Sequence, residues 1–150
     1  MITNLYFHFP NDISYKEYLL KLRWSKNIVC PYCGSIRNTQ LKNKFRFHCN
    51  TCNANFSLTV NTIMHKSKID LRKWLIALHL YLNDNKLTYR KLGSIIKVNK
   101  NTAHRMLEKI EFLFSRYRLA ILKISGMSKD AIEVMSKMLI LDIKERYHDK

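Results

Sequence analysis

Four cysteines carry the clearest chemistry in this 150-residue chain. Cys30, Cys33, Cys49 and Cys52 read C-x2-C, fifteen intervening residues, then C-x2-C, which is zinc-ribbon spacing. Two thiolates separated by two residues reach one ion from a single tight knuckle, and two facing knuckles complete a tetrahedron. Pro31 presets the first knuckle, and Gly34 follows its second cysteine, where a positive φ aims backbone amides at sulfur. Asn53 takes the corresponding place after Cys52, and Asn is the next residue most tolerant of that conformation. The pattern implies one structural Zn²⁺, since four Cys ligands leave no coordination position for water. Two disulfides are the rival reading, disfavoured because residues 1–14 lack the apolar region of a secretory signal. A C-x2-C redox pair is the other rival, and the double spacing favours metal. His48, beside Cys49, is a candidate substitute ligand but reads more simply as a hairpin side chain.

A second chemistry is electrostatic. The chain holds 27 Lys+Arg against 11 Asp+Glu, a formal charge of +16, with a pI of about 9.9. Residues 1–70 carry 10 basic and 3 acidic side chains, residues 71–126 carry 12 and 3, and residues 127–150 carry 5 and 5. A field of that sign attracts polyanions, above all nucleic acid, through counterion release. A basic surface serving solubility alone, or an anionic membrane as partner, is the alternative. No basic amphipathic anchor, lipidation signal or apolar run near the ~18 residues of a bilayer span stands out. With hydrophobic residues at 47% and only 3 Gly and 2 Pro, disordered and low-complexity classes are excluded.

These groups need elements to position them. Residues 13–24 place Tyr15, Tyr18, Leu19 and Leu22 at helical spacing, with Asp12 or Ser14 as N-cap. The ribbon follows over roughly residues 27–60, with residues 39–48 as a hairpin turning at Lys42-Asn43-Lys44 and a further strand at Phe56. Asp70 caps a helix over residues 71–83, with Leu71, Trp74, Leu75, Leu78 and Leu82 in one stripe. That helix is apolar nearly all round and belongs at the centre of the core. Thr88 caps a short helix, residues 89–96. A turn at Lys97-Val98-Asn99 leads to a longer one, from Lys100 to about Arg118, capped by Asn99.

Short helix, tight turn, longer helix is the helix-turn-helix arrangement, in which the first residues of the second helix meet base edges. Ala103, Met106, Leu107, Ile110 and Phe114 form the expected buried stripe of the longer helix, while Asn101, His104, Arg105 and Glu108 form its outer face. Gly93 costs the short helix ~1 kcal/mol in propensity, which close helix–helix approach explains. The turn lacks the usual glycine. A plain helical hairpin with a solvated polar face is the bland alternative. Residues 128–147 read as a last helix, with Ile132, Met135, Met138, Leu139 and Ile143 at helical spacing and Glu133–Lys137 as an i, i+4 pair. It either closes the helical core, the favoured reading, or serves as a homodimerisation helix.

Taken together, these stretches resemble the N-terminal half of insertion-sequence transposases that begin with a short helix, a zinc ribbon and a helix-turn-helix. The matching residues are Tyr18-Leu19 leading to Arg23-Trp24, Cys30-Pro31-Tyr32-Cys33-Gly34, and Cys49-Asn50-Thr51-Cys52 followed by Phe56-Ser57. Further on come Asn61-Thr62-Ile63-Met64-His65-Lys66-Ser67, Leu71-Arg72-Lys73-Trp74 and Asn101-Thr102-Ala103-His104-Arg105-Met106-Leu107. The resemblance covers about residues 9–114. Asn61 stands where that family usually has Gly. The family's catalytic domain, which resembles ribonuclease H and holds two metals with three carboxylates, has no counterpart in the 32 residues after Arg118. Asp130, Glu133, Asp142 and Glu145 lie on one expected helix with Asp149 just beyond it, and a single helix cannot surround two metals.

The expected fold is α+β, mainly α, with a small zinc ribbon inserted between an N-terminal helix and a helix-turn-helix domain. The expected boundaries are residues 1–26, 27–66, 67–126 and 127–150. The expected function is sequence-specific binding of double-stranded DNA by a transposase-derived protein. It would act as a regulator or recognise element ends, without catalysis and without a small-molecule substrate. A truncated transposase fragment served by a separate catalytic domain, or an RNA- or protein-binding ribbon module, is the alternative. The neutral C-terminal end favours a self-contained protein over a fragment. The candidate DNA contacts are Lys97, Lys100, Asn101, Thr102, His104 and Arg105 on the helix pair, and Arg37, Lys42, Lys44 and Arg46 on the ribbon. The expected location is the cytoplasm, at the nucleoid if the source is bacterial.

Overall fold

A computed structural model describes residues 2–143 of the chain. Among these, the order of elements is α1 (Ile2–His8), α2 (Asp12–Arg23), β1 (Asn38–Gln40), β2 (Arg46–Cys49), β3 (Asn55–Ser57), α3 (Leu71–Asn83), α4 (Tyr89–Ile96), α5 (Lys100–Arg116), α6 (Arg118–Ser125) and α7 (Ala131–Leu139). The fold is α+β and mainly α. Its strands form one antiparallel sheet in the order β1-β2-β3.

Local chemistry accounts for most helix starts. Asp70, Thr88 and Asn99 each accept a backbone N–H of the first turn, from Arg72 (2.9 Å), Lys91 (3.1 Å) and Thr102 (2.8 Å) respectively. At α2 the cap differs from expectation. Asn11, not Asp12 or Ser14, is the N-cap: its side chain accepts from the Ser14 N–H at 2.7 Å, and Ser14 Oγ accepts from the Asn11 N–H at 3.3 Å. This reciprocal box uses both side chains and frees Asp12 to accept the Leu71 N–H at 2.8 Å, so one carboxylate joins the starts of α2 and α3. Helix α1 precedes the helix expected at residues 13–24. Its Leu5, and Phe9 just beyond it, lie four residues apart and are both buried.

Two apolar clusters result. The larger gathers Leu5, Tyr15 and Leu19 from the N-terminal helices, Leu71–Leu78 positions of α3, Leu92, Ala103, Met106, Ile110 and Leu113 from α4 and α5, and Met135, Met138 and Leu139 from α7. The smaller, inside the sheet, holds Cys30, Phe47, Cys49, Phe56 and Val60, with Trp24 against it. Within the expected stripes, Leu82 is exposed at the end of α3, and Leu107 and Phe114 are only half-buried, while Leu113 fills the core instead.

Two helix ends correct the expectations. Helix α5 stops at Arg116, because Tyr117 leaves helical geometry (φ −116°, ψ 35°), and α6 starts at Arg118. No Gly or Pro marks the break; burial of Ile121 on the core side accompanies it. The last helix stops at Leu139 rather than running on toward residue 147. The Ile143 N–H donates to the Asn61 carbonyl at 2.8 Å instead of continuing a helical ladder, which still buries Ile143. Residues 144–147 of the expected helix lie outside the described residues. The apolar side of α7 packs on α3 and α2, and its buried Ser136 Oγ is 2.8 Å from the Tyr15 hydroxyl. Met135, Met138, Leu139 and Ile143 of this segment are buried in the chain's own core.

The α4–α5 corner shows why Gly93 is there. A Cβ on it would stand 2.9 Å from the Val98 carbonyl oxygen and 3.5 Å from Ala103 Cβ. Lys97, in the place of the absent turn glycine, adopts the left-handed conformation (φ 58°), and the Val98 N–H closes the turn on the Gly93 carbonyl at 3.0 Å. Gly93→Ala gains about 1 kcal/mol of helix propensity but must displace backbone, an overpacking cost of about 1–3 kcal/mol. The expected outcome is a net loss of stability, read as a lower Tm by thermal unfolding.

Candidate zinc centre and nucleic-acid interface

The knuckle turns of the ribbon satisfy their own backbone groups. In the first knuckle the Gly34 N–H donates to the Cys30 carbonyl and the Cys30 N–H to the Ser35 carbonyl, both at 2.9 Å, with Gly34 at φ 77°. The second repeats the device: Asn53, at φ 63°, donates its N–H to the Cys49 carbonyl at 2.9 Å. Asn38 clips the first knuckle to β1 by donating from Nδ2 to the carbonyls of Ile28 (2.6 Å) and Ser35 (3.0 Å). At the hairpin tip, Asn43 accepts the Phe45 N–H on its side chain at 3.0 Å, a local turn that starts β2.

These turns bring four sulfurs together. All the Sγ atoms lie within 4.8 Å of one another. Across the knuckles, Cys30–Cys52 is 3.7 Å and Cys33–Cys49 is 3.5 Å. Tetrahedral zinc–sulfur bonds of about 2.3 Å place neighbouring sulfurs about 3.8 Å apart, so the cluster fits zinc. No disulfide joins the four cysteines, and this four-thiolate donor set is that of one structural Zn²⁺. The Cys52 N–H donates to Cys49 Sγ at 3.5 Å and favours the thiolate, which lowers the pKa of Cys49 within this set of interacting thiols. Tyr32 N–H points at Cys30 Sγ at 3.4 Å, the amide-to-sulfur contact expected of the first knuckle. His48 is not a ligand. Its Nδ1 is 2.7 Å from Asn55 Oδ1, the residue paired with it across β2 and β3.

The candidate DNA contacts fall into two groups. On α5, Lys100, Asn101, His104 and Arg105 are exposed, Thr102 is half-buried, and Lys97 is exposed at the turn. His104 is already engaged: Nε2 lies 2.6 Å from Glu108 Oε1, and its ring meets the Tyr89 ring edge-on at 5.1 Å. Arg105 lines a cleft of about 410 Å³ between α5 and residues 65–69. On the ribbon, Arg37, Lys42 and Arg46 are exposed, whereas Lys44 is in an ion pair with Glu17 of α2. Arg46 lines a larger cleft, about 720 Å³, together with Lys16 of α2 and residues 65–69. Lys16, Lys66 and Lys68 are not among the candidate contacts expected from the sequence. The available signal was the run His65-Lys66-Ser67-Lys68 directly after the ribbon. Asn61 takes the left-handed conformation (φ 58°), the region that favours glycine and that Asn tolerates.

Comparison with known proteins agrees with the metal site. Residues 10–55 match the family model of the transposase zinc-ribbon domain. A protein of Halobacterium salinarum, described as an uncharacterized protein in transposable element ISH50, is 29% identical over 94 residues, covering 61% of this chain and 32% of that protein. The match thus spans about a third of that relative's length. No solved structure matches the chain. Among the described residues no helix is long and apolar enough to cross a membrane. In sequence and in four-sulfur geometry, the ribbon of this chain is similar to the transposase zinc-ribbon domain, and the chain is related to an insertion-element protein.

Proposed function

We propose that this chain binds double-stranded DNA sequence-specifically, as the recognition part of a transposase-derived system, either at transposable-element ends or as a regulator, and that it has no catalytic centre of its own. One observation carries the reading. The α4–turn–α5 pair, drawn together at Gly93, leaves Lys100, Asn101 and Arg105 exposed on the first turns of α5 in a chain of charge +16. The non-catalytic part is supported by the surroundings of two acids near the C-terminus. Asp130 caps α7 by accepting the Ile132 N–H at 3.0 Å, and Glu133 pairs with Lys137 at 3.1 Å. Two-metal strand transfer needs carboxylates converged on one point. A second reading, a recognition module served by a separate catalytic domain, is favoured by the match spanning only 32% of its relative.

Selection of bound sequences from a random duplex pool, followed by titration of the winner across a salt series, tests the proposal. An enriched motif is expected. With about six phosphate contacts, the slope of log K against log salt is expected near −5. A flat dependence, or a preference for single strands or A-form RNA, would replace this reading by an RNA- or protein-binding ribbon.

A further inference from the structure

We propose that the loop of residues 65–68, between the ribbon and α3, is a phosphate-gripping ridge that holds ribbon and α5 on one continuous duplex; this rests on the DNA-binding reading above. The loop is the wall common to both clefts. Arg46 faces it from the ribbon side, and Arg105 from the α5 side. Lys66 and Lys68 are exposed and line both clefts. Among the described residues Asp12 is the one acid lining either cleft, and it already pairs with Lys16 at 3.2 Å and accepts the Leu71 N–H. Arg46 on β2, Lys66 and Lys68 on the ridge and Arg105 on α5 therefore set positive charge along both sides of this loop. A sugar–phosphate strand, with its regularly spaced charges, is the ligand that matches such an arrangement.

The ridge is built rather than slack. Buried Thr62 donates its hydroxyl to the Thr59 carbonyl at 2.7 Å and accepts the Met64 N–H at 3.2 Å. The His65 N–H bonds the Thr62 carbonyl at 3.1 Å, and the Ser67 N–H bonds the Met64 carbonyl at 3.0 Å. Trp74 Nε1 donates to Ser67 Oγ at 3.0 Å, while Ile63 and Met64 are buried in the helical core. Contacts made from a preorganised loop cost little ordering entropy. Lys66 also holds φ 61°, the left-handed region that favours glycine. A long cation at a position where glycine would be unstrained points to a role for its side chain.

The test uses the zinc-loaded full chain and a random-sequence duplex of about 30 base pairs, titrated across a salt series. Lys66→Gly keeps the backbone conformation and removes the charge, and it is combined with Lys68→Ala. The double variant is expected to lose roughly tenfold or more in affinity, with a salt slope shallower by about 2, while zinc content and Tm are retained. Lys68→Ala alone, which leaves the left-handed position untouched, should make the slope shallower by about 1. Lys129→Ala, an exposed cation lining neither cleft, should leave it unchanged. An unaltered slope in the ridge variants, or an equal change with Lys129→Ala, overturns the ridge while DNA binding stands. Tighter binding to single-stranded RNA, or no binding of wild type to the duplex, overturns both.

Discussion

Cys49→Ser is expected to abolish tight zinc binding and unfold the ribbon while the helical core persists. The apolar cluster inside the sheet comprises Phe47, Phe56 and Val60 around Cys30 and Cys49, with Trp24 leaning on it, and its strands are three or four residues long. A core of that size cannot offset the conformational entropy of ordering the ribbon. Structural zinc contributes about 10–16 kcal/mol of apparent binding energy in small ribbons and fingers, and that energy is here the folding energy. Removing one thiolate opens the tetrahedron at a buried corner. Metal analysis should find one zinc per wild-type chain and almost none in the variant. Trp24, whose ring centroid lies 5.8 Å from that of Phe47 and 6.0 Å from that of Phe56, should report the loss in its fluorescence. Far-UV circular dichroism should change little, because α3, α4 and α5 pack on one another in the other cluster. A strong chelator should reproduce the phenotype in wild type. Wild-type protein carrying two disulfides and no zinc would overturn the assignment.

The second large effect concerns where bases are read. If the first turns of α5 enter the major groove, Asn101 can pair bidentately with adenine and Arg105 with guanine, each worth about 1–3 kcal/mol of discrimination. Arg105→Ala is expected to relax preference at one base position by roughly 5- to 150-fold. Lys97→Ala should weaken all sequences alike, since a turn cation holds the backbone and carries no base information. His104, engaged with Glu108 and Tyr89, should contribute less than either. The measurement is binding of each variant to a matched site library. Arg46→Ala is the informative comparison, because Arg46 lines the cleft on the ribbon side of the 65–68 loop. Unchanged preference in Arg105→Ala together with lost preference in Arg46→Ala would assign recognition to the ribbon.

Much of this architecture is legible in the sequence because it depends on neighbours along the chain. The cysteine spacing, Gly34 and Asn53 determine the zinc knuckles, since positive φ and the reach of two thiolates are short-range matters. Asp70, Thr88 and Asn99 set the starts of α3, α4 and α5 through bonds two or three residues long. Gly93 announces a close crossing, although only the structure identifies the Val98 carbonyl as what it avoids. Other features were decided by groups far apart in sequence. Helix α5 breaks at Tyr117 and α7 ends at Leu139 without Gly or Pro, where burial of Ile121 and the bond from Ile143 to Asn61 take precedence over local propensity. Asp12 is drawn from capping its own helix to hold Leu71, 59 residues away. Composition shows that the chain is basic, but the side-by-side placement of Arg46, Lys66, Lys68 and Arg105 around one loop is a product of packing. Periodicity records which face a helix buries; which distant loop that face meets depends on how the elements assemble.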